Sequence, residues 1–150
     1  MDPITLHKVD ESNFLACFSL KLDARQEKFV SHPIRSLDQA YVYRKQCTPF
    51  AICRAGQVIG YLMVIYDYDE EAYFIWHLMI DVQYQGRGYG RAAMESALDY
   101  IRSRPFGDSN VVRLTVNPEN SAACHLYQTM RFSATGRADE DEIELERVLD

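Results

Sequence analysis

Three glycines at alternate positions constrain this chain more than any other feature. They stand in the run Gln85-Gly86-Arg87-Gly88-Tyr89-Gly90-Arg91. An apolar segment before the run, Ala72 to Ile80, is typical of a strand. After the run, apolar residues recur with the period of a helix that buries one face: Met94, Ala97, Leu98 and Ile101. The sequence therefore predicts a strand, a glycine loop and a helix N-terminus, whose free backbone N–H groups suit phosphate.

The spacing of the glycines excludes two common nucleotide-binding loops. A dinucleotide-binding fingerprint requires G-x-G-x-x-G with an acidic residue about 20 residues later, and the third glycine here comes one residue early. A P-loop requires a Gly-Lys pair, which the sequence lacks. Arg87 and Arg91 add positive charge to the loop. Two interpretations stay open at this point, a different phosphate ligand and a glycine-rich turn without a ligand.

A second strand-loop-helix unit follows later in the chain. Val111 to Val116 is a run of β-branched residues, and Ser121 to Met130 has the pattern of a helix with Asn120 as its N-cap. Asn120, Cys124 and Tyr127 share one face of that helix, next to an apolar stripe. Tyr127 therefore either presents its hydroxyl on a polar face or packs in the core with the hydroxyl satisfied.

Together the two units resemble the GNAT superfamily of acyl-CoA-dependent N-acetyltransferases. The residues that carry the resemblance are Gln85-x-x-Gly88-x-Gly90 and Asn117-x-x-Asn120-x-x-Ala123-x-x-Leu126-Tyr127 followed by Phe132. The resemblance covers nearly the whole chain. It implies an α/β (α+β) fold with a mixed, mostly antiparallel sheet, a splayed central strand pair and helices on both faces.

The resemblance also implies roles for these residues, with acetyl-CoA as the cosubstrate. The pantetheine arm would pair with the backbone of the strand and lie near two asparagines: Leu78, Met79 and Ile80, with Asn117 and Asn120. The diphosphate would lie on the backbone of the loop: Gln85, Gly86, Arg87, Gly88, Tyr89, Gly90 and Arg91. Tyr127 falls where the superfamily places a general acid. A phenol, with a pKa near ~10, can protonate a departing CoA thiolate.

One residue departs from the superfamily pattern. Arg131 stands where glycine usually follows the tyrosine helix and precedes the aromatic Phe132. Glycine there permits a left-handed helix end, and another residue in that conformation costs on the order of 1 kcal/mol. A cation near the last carbonyls of a helix is favourable in itself. Arg131 is therefore expected either to accept the strain or to cap the helix differently.

The sequence has the size and composition of one domain, residues 1–150. Its apolar content of 47% is ample for a core. The first residues, Met1 to Thr5, lack the features of a signal peptide, and no apolar run has membrane-spanning length. A cytoplasmic protein without a membrane partner is expected. The spacing of cysteines and histidines supports neither a disulfide nor a metal site. A homodimer is compatible with the sequence.

Shorter patterns predict the remaining elements. The predicted strands are Ile4 to Val9, Phe50 to Arg54, Val58 to Tyr66, Phe132 to Arg137 and Glu142 to Val148. Two more helices are predicted, from Ser12 to Leu20 and from a capping box that begins at Ser36 and reaches about Gln46.

The charge pattern bears on the acceptor. A net charge of −6 argues against nucleic acid as a partner and favours a cationic substrate. Acidic residues cluster at Asp67 to Glu71 and at Asp139 to Glu142, although solvated loops often have such clusters too. A narrower resemblance is to bacterial spermine/spermidine N-acetyltransferases. It rests on Gln26, Phe29-Val30, Ser36-Leu37, Ala40 and Met79-Ile80-Asp81 followed by Tyr84-Gln85-Gly86, whereas Ser31-His32-Pro33 departs from that group.

The leading hypothesis is an N-acetyltransferase that transfers acetyl from acetyl-CoA to a primary amine, a polyamine such as spermidine or spermine, by direct attack in a ternary complex. Glu27, Glu70 and Glu71 are candidate anchors for the distal amine. His77 is a candidate substrate-binding residue and base, but no base is assigned. Two alternatives stay open. One is a GNAT enzyme that acetylates a protein N-terminus, a lysine or an aminoglycoside, and the other is a domain that binds acyl-CoA without catalysis.

Overall fold

The computed structural model describes residues 3–29 and 32–150. Within them the strands are β1 Ile4–Lys8, β2 Cys47–Arg54, β3 Gln57–Asp67, β4 Ala72–Ile80, β5 Val111–Val116, β6 Ser133–Asp139 and β7 Glu142–Val148. The helices are α1 Phe14–Phe18, α2 Ala24–Glu27, α3 Pro33–Val42, α4 Tyr89–Arg102 and α5 Ser121–Thr129, with a 3-10 turn at Val82–Tyr84. No helix in the described part of the chain is long and apolar enough to cross a membrane.

The strands form one sheet in the order β1-β2-β3-β4-β5-β7-β6. Only the β4–β5 pair is parallel, and each of the other neighbouring pairs is antiparallel. The predicted mixed, mostly antiparallel sheet is therefore confirmed. Strand alternation directs Tyr61, Met63 and Ile65 to one face of β3 and Leu62 and Val64 to the other.

Each face of the sheet carries its own hydrophobic cluster. Four residues of α4 that the periodicity selected are at most 2% exposed and pack on the face of Leu62 and Val64: Met94, Ala97, Leu98 and Ile101. Cys17 of α1 and Ala40 of α3 pack on the other face, with Tyr61 and Met63. The helices therefore lie on both faces, as predicted.

The sheet opens between β4 and β5. The two strands pair only at Tyr73–Val112 and Phe74–Arg113, and the rest of β4 makes no pairs with β5. The predicted splayed pair is thus confirmed. On its other edge β4 stays paired with β3, where the register passes from Met63–Trp76 to Tyr61–Met79. This shift is a β-bulge in which His77 and Leu78 lie opposite one residue of β3.

The first helical region differs from the prediction. The capping box predicted at Ser36 is wrong, because α3 begins at Pro33 and ends at Val42, and Ser36 lies inside it, fully buried. His32 is the N-cap, and its Nδ1 accepts the backbone N–H of Ile34 at 3.1 Å. Proline at the first helical position is the stronger start signal, because its φ is already helical. The short helix α2, capped by Asp23, had no predicted counterpart.

Candidate active site

A cavity of about 1140 Å³ opens where β4 and β5 diverge. One part of its wall consists of β4, the end of β5 and the first turns of α5. The other part consists of residues 27–29 and 32–39, with side chains from α2 and α3, and of the turn that joins β6 to β7. We call these the cofactor wall and the acceptor wall.

Hydrogen bonds at both ends of α5 fix the helix that carries Tyr127. At the N-terminus, Asn120 accepts the backbone N–H of Ala123 at 3.4 Å. At the C-terminus, the N–H of Phe132 donates to the carbonyl of Tyr127 and that of Arg131 to the carbonyl of Gln128, both at 3.0 Å.

These two hydrogen bonds define a Schellman motif. Arg131 has φ +67° and so adopts the left-handed conformation that glycine usually provides. Of the two outcomes expected for Arg131, the strained one is therefore observed. The aromatic ring of Phe132 packs against Tyr127 with centroids 6.1 Å apart, so the departure from glycine leaves the tyrosine in a packed helix end.

The hydroxyl of Tyr127 is available for chemistry. The residue is only 9% exposed and lines the cavity. Within the described residues its hydroxyl has no hydrogen-bond partner. Burial, aided by the nearby Cys124 and Glu142, raises the pKa of Tyr127 to about 12. The phenol therefore keeps its proton at neutral pH and can donate it to a ligand in the cavity.

The glycine loop joins β4 to α4 beyond the cavity. Gly86 and Gly88 have φ of +75° and +81°, and Gly88 is the N-cap of α4. The Gln85 amide donates to the carbonyl of Ile80 at 2.8 Å and exchanges hydrogen bonds with Gln26. Left-handed glycines before a helix N-terminus form a concave set of backbone N–H groups. This backbone fits a diphosphate.

The other side chains of the loop differ in their exposure and in their contacts with the rest of the protein. Arg87 is exposed and lies over the ring of Tyr84, whereas Tyr89 is buried in the core. Arg91 already binds Thr129 at 2.9 Å and Glu95 at 3.4 Å, so it ties α4 to α5. A Cβ on Gly90 would have only ordinary contacts with Leu126 and Ile80.

His77 lies on β4 and lines the cavity, and its side chain reaches α3 of the acceptor wall. Its Nδ1 lies 2.7 Å from Oγ of Ser36, and that Oγ lies 2.7 Å from the hydroxyl of Tyr61. Burial, together with the positive charge of Arg35, lowers the pKa of His77 from 6.5 to about 4. The imidazole is therefore neutral at physiological pH.

The predicted anchors lie in different places. Glu27 lines the cavity, whereas Glu70 and Glu71 are not among the lining residues. Glu70 forms ion pairs with Arg113, at 3.3 Å, and with Arg137. Its charge therefore neutralises cations at the start of β5 and on β6.

The sequence analysis did not name as anchors most of the acidic residues that line the cavity. They come from the β6–β7 hairpin: Asp139, Glu140, Asp141, Glu142 and Glu144. The cluster at Asp139 to Glu142 was visible in the sequence. Its position was not, because it depends on β7 pairing with β5, which carries the hairpin to the cavity.

Of the other predicted site residues, Leu78, Asn117 and Asn120 line the cavity. Met79 and Ile80 continue β4 from the cavity toward the glycine loop. Among the residues of the narrower resemblance, Phe29 lines the cavity, and Val30 and Ser31 lie outside the described residues.

The chain matches the Acetyltransferase (GNAT) family over residues 14–132. It belongs to this family. Acetyl-CoA-dependent N-acetyl transfer is the activity of the family, and acetyl-CoA is its cosubstrate.

A curated relative is the N-alpha-acetyltransferase RimI of Mycobacterium tuberculosis, 36% identical over 64 residues. The matched segment spans 43% of this chain and 37% of the relative.

Two solved structures have the same fold. One is the spermidine N-acetyltransferase of Vibrio cholerae in complex with CoA and spermine, with a TM-score of 0.78, 20% identity, and coverage of 97% of this chain and 95% of that chain. The other is an acetyl transferase of Salmonella typhimurium that modifies the N-terminal serine of ribosomal protein L7/L12. Its TM-score is 0.77 at 15% identity, with coverage of 99% and 96%.

Proposed function

We propose that this chain transfers an acetyl group from acetyl-CoA to a primary amine of a polyamine such as spermidine or spermine, by direct attack in a ternary complex. The observation that carries the proposal is the acidic acceptor wall of the cavity that Tyr127 also lines. Its carboxylates can hold a substrate with more than one positive charge while one of its amines reacts.

The backbone of the cofactor wall would hold acetyl-CoA. The unpaired edge of β4 at Leu78 can add the pantetheine amides as a further strand, and Asn117 and Asn120 lie across the opening. The loop from Gln85 to Arg91 would hold the diphosphate. When bound, acetyl-CoA supplies an electrophilic thioester carbonyl, whose carbon–sulfur bond breaks with the electron pair on sulfur as the new carbon–nitrogen bond forms.

Tyr127 would give its phenolic proton to the departing sulfur. Its raised pKa keeps the phenol protonated at neutral pH, so the proton is in place when negative charge develops on the sulfur. Among the residues that the structure describes, its hydroxyl has no hydrogen-bond partner that it would have to give up. Tyr127 therefore serves as the general acid.

The acceptor wall has a surplus of negative charge. Its lining includes six carboxylates against three cationic side chains: Glu27, Asp139, Glu140, Asp141, Glu142 and Glu144, against Lys28, Arg35 and Arg137. Arg137 is itself paired with Glu70. Such a wall attracts a polycation and repels anionic acceptors. The fold shared with a spermidine acetyltransferase that binds spermine agrees with this acceptor.

A protein N-terminus is the second candidate acceptor. Its support is the 36% identity with an N-alpha-acetyltransferase and the fold shared with the enzyme that modifies L7/L12. A peptide presents one α-amino group and a backbone, so it needs fewer acidic partners than a polyamine.

A panel of amines, assayed with acetyl-CoA for release of the CoA thiol, tests the proposal. Spermidine and spermine are expected to react with a higher kcat/KM than propylamine, a lysine peptide, an aminoglycoside or peptides with serine or alanine N-termini. Faster reaction of a peptide N-terminus would replace the polyamine by the second candidate. CoA binding without acetylation of any amine would instead indicate a binding domain.

A further inference from the structure

We infer that Nε2 of His77 accepts a proton from the acceptor amine, and that Ser36 and Tyr61 position the imidazole for this step. The inference rests on the proposed function, since it assigns the proton acceptor that an ammonium substrate requires.

The backbone of β4 turns His77 toward the acceptor side. The residue has φ +61°, in the left-handed region that a histidine seldom adopts. The bulge at His77 and Leu78 interrupts the strand alternation. As a result Trp76 packs with the cluster under α1 and α3, and the next residue, His77, also reaches α3 through Ser36. Such strain persists where surrounding contacts fix it, and it is frequent at functional sites.

A buried hydrogen-bond chain fixes the imidazole. Ser36 and Tyr61 are both fully buried, and within the described residues the Tyr61 hydroxyl has only Ser36 as a partner. The Tyr61 hydroxyl therefore donates to Oγ of Ser36, since a buried donor without an acceptor is costly. Because Ser36 occupies Nδ1 of His77, Nε2 is the nitrogen left for a ligand in the cavity.

The chain can satisfy both protonation states of the imidazole. With neutral His77, Nδ1–H donates to Oγ of Ser36, so Nε2 keeps the lone pair that accepts the proton. With protonated His77 the same hydrogen bond remains, and in both states the Ser36 hydroxyl turns to the sulfur of Met63 at 4.0 Å. Tyr61 donates to the same Oγ in either state. A group that must gain and lose a proton in each turnover needs this tolerance.

Burial, together with the positive charge of Arg35 near the ring, keeps the imidazole neutral before the reaction and favours release of the proton. The other charged or titratable groups that line the described part of the cavity are Glu27, Lys28 and His32 on one side, Arg137, Asp139, Glu140, Asp141, Glu142 and Glu144 on the other, and Tyr127 of α5. In the transfer an ammonium nitrogen loses two protons. Nε2 takes them and passes them to water, and one proton returns through Tyr127 to the CoA sulfur, so one proton is released overall.

His77→Asn tests the proton acceptor. Asparagine tolerates the left-handed backbone, and its amide can reach Ser36 as Nδ1 does, but it lacks Nε2. At pH 7 we expect kcat to fall by ~10² to 10⁴ with CoA affinity unchanged, and to recover as rising pH frees the amine of its proton. A variant with kcat within twofold of wild type would overturn the inference. If kcat falls in Glu142→Gln but not in His77→Asn, Glu142 is the proton acceptor instead.

Ser36→Ala and the double variant Ser36→Ala/Tyr61→Phe separate positioning from stability. The single variant leaves the Tyr61 hydroxyl without a partner, so its Tm should fall, and the double variant should recover part of that loss. We expect kcat to stay at least fivefold below wild type in both, with unchanged KM for acetyl-CoA. If kcat recovers together with Tm, Ser36 has a structural role only.

The amine panel distinguishes a failure of the role inferred for His77 from a failure of the proposed function. If the wild type and His77→Asn acetylate an amine at the same rate, the role of His77 is overturned and the proposed function stands. Wild type that binds CoA and acetylates no amine overturns the proposed function, and the role of His77 with it.

Discussion

The two walls of the cavity differ in the part of the chain that makes contact. The cofactor side is mainly backbone: the open edge of β4 in the cofactor wall and, beyond the cavity, the loop with left-handed Gly86 and Gly88 and the N-terminus of α4. The acceptor wall is mainly side chains on short helices and on an exposed turn. A backbone surface requires particular residues, because only glycine takes positive φ without strain. A charged surface requires only that carboxylates lie near the amines of the substrate, whichever positions in the chain carry them.

This difference makes the cofactor wall recognisable and the acceptor wall variable. Experiments can test this difference with variants in each wall. Changes in the cofactor wall should affect CoA binding and the chemical step for every amine. Changes in the acceptor wall should distinguish one amine from another.

The largest effect is expected for Tyr127→Phe. Removal of the hydroxyl takes away the general acid, so kcat should fall by ~10² to 10⁴ for all amines. The dissociation constant for CoA, measured by calorimetry, should stay within about twofold of wild type.

Thermal unfolding is the control for Tyr127→Phe. The hydroxyl has no hydrogen-bond partner in the described residues, so Tm should change little. A variant that loses stability and CoA binding together would show that the tyrosine serves packing rather than chemistry.

The next largest effect concerns stability in acid. The folded protein lowers the pKa of His77 from 6.5 to about 4, chiefly by burial. The unfolded chain therefore binds more protons in this window, and the stabilising contribution of neutral His77 is complete above pH 6.5 and is lost as pH falls toward 4. The loss should be on the order of 3 kcal/mol.

His77→Asn should flatten the decline of Tm between pH 6.5 and 4, measured by calorimetry. His125→Asn is the matched control, since His125 is exposed on α5. An equal decline in wild type and His77→Asn would mean that other groups cause the acid sensitivity.

The sequence predicted the cofactor wall closely because local rules determine it. The bounds of β4 and β5 and the N-cap Asn120 agree with the structure. Each follows from residue type and spacing within one element. The splay of β4 from β5 came from the family resemblance rather than from any local pattern.

The acceptor wall was predicted less well because distant contacts determine it. Ser36 has the local pattern of a helix cap, yet its partners Tyr61 and His77 are 25 and 41 residues away. Glu70 and Glu142 belong to similar acidic turns in the sequence. Only the pairing of β7 with β5 distinguishes the turn at the cavity from the turn that binds arginines.

A smaller effect is expected for Gly88→Ala. The new Cβ would stand in the loop proposed for the diphosphate, so CoA affinity should fall on the order of tenfold, or about 1.4 kcal/mol. Gly56→Ala is the matched control, with φ +80° and nothing within 4 Å of the added Cβ. Both variants should lose about 1 kcal/mol of stability through backbone strain. Equal CoA affinity in the two variants would contradict the loop's role.

The smallest effect is expected from the two acidic turns. Glu140→Gln/Asp141→Asn removes two charges from the cavity, and Asp69→Asn/Glu71→Gln removes two from the β3–β4 turn, outside it. The first pair should raise KM for spermine severalfold, since an exposed ion pair contributes at most about 1 kcal/mol. KM for propylamine should hardly change, because a monoamine has no second charge to anchor. The second pair should leave both values unchanged, and added salt should raise KM for spermine in wild type more than in the first variant. Equal effects of the two pairs would mean that the net charge of the protein, rather than the acceptor wall, attracts the substrate.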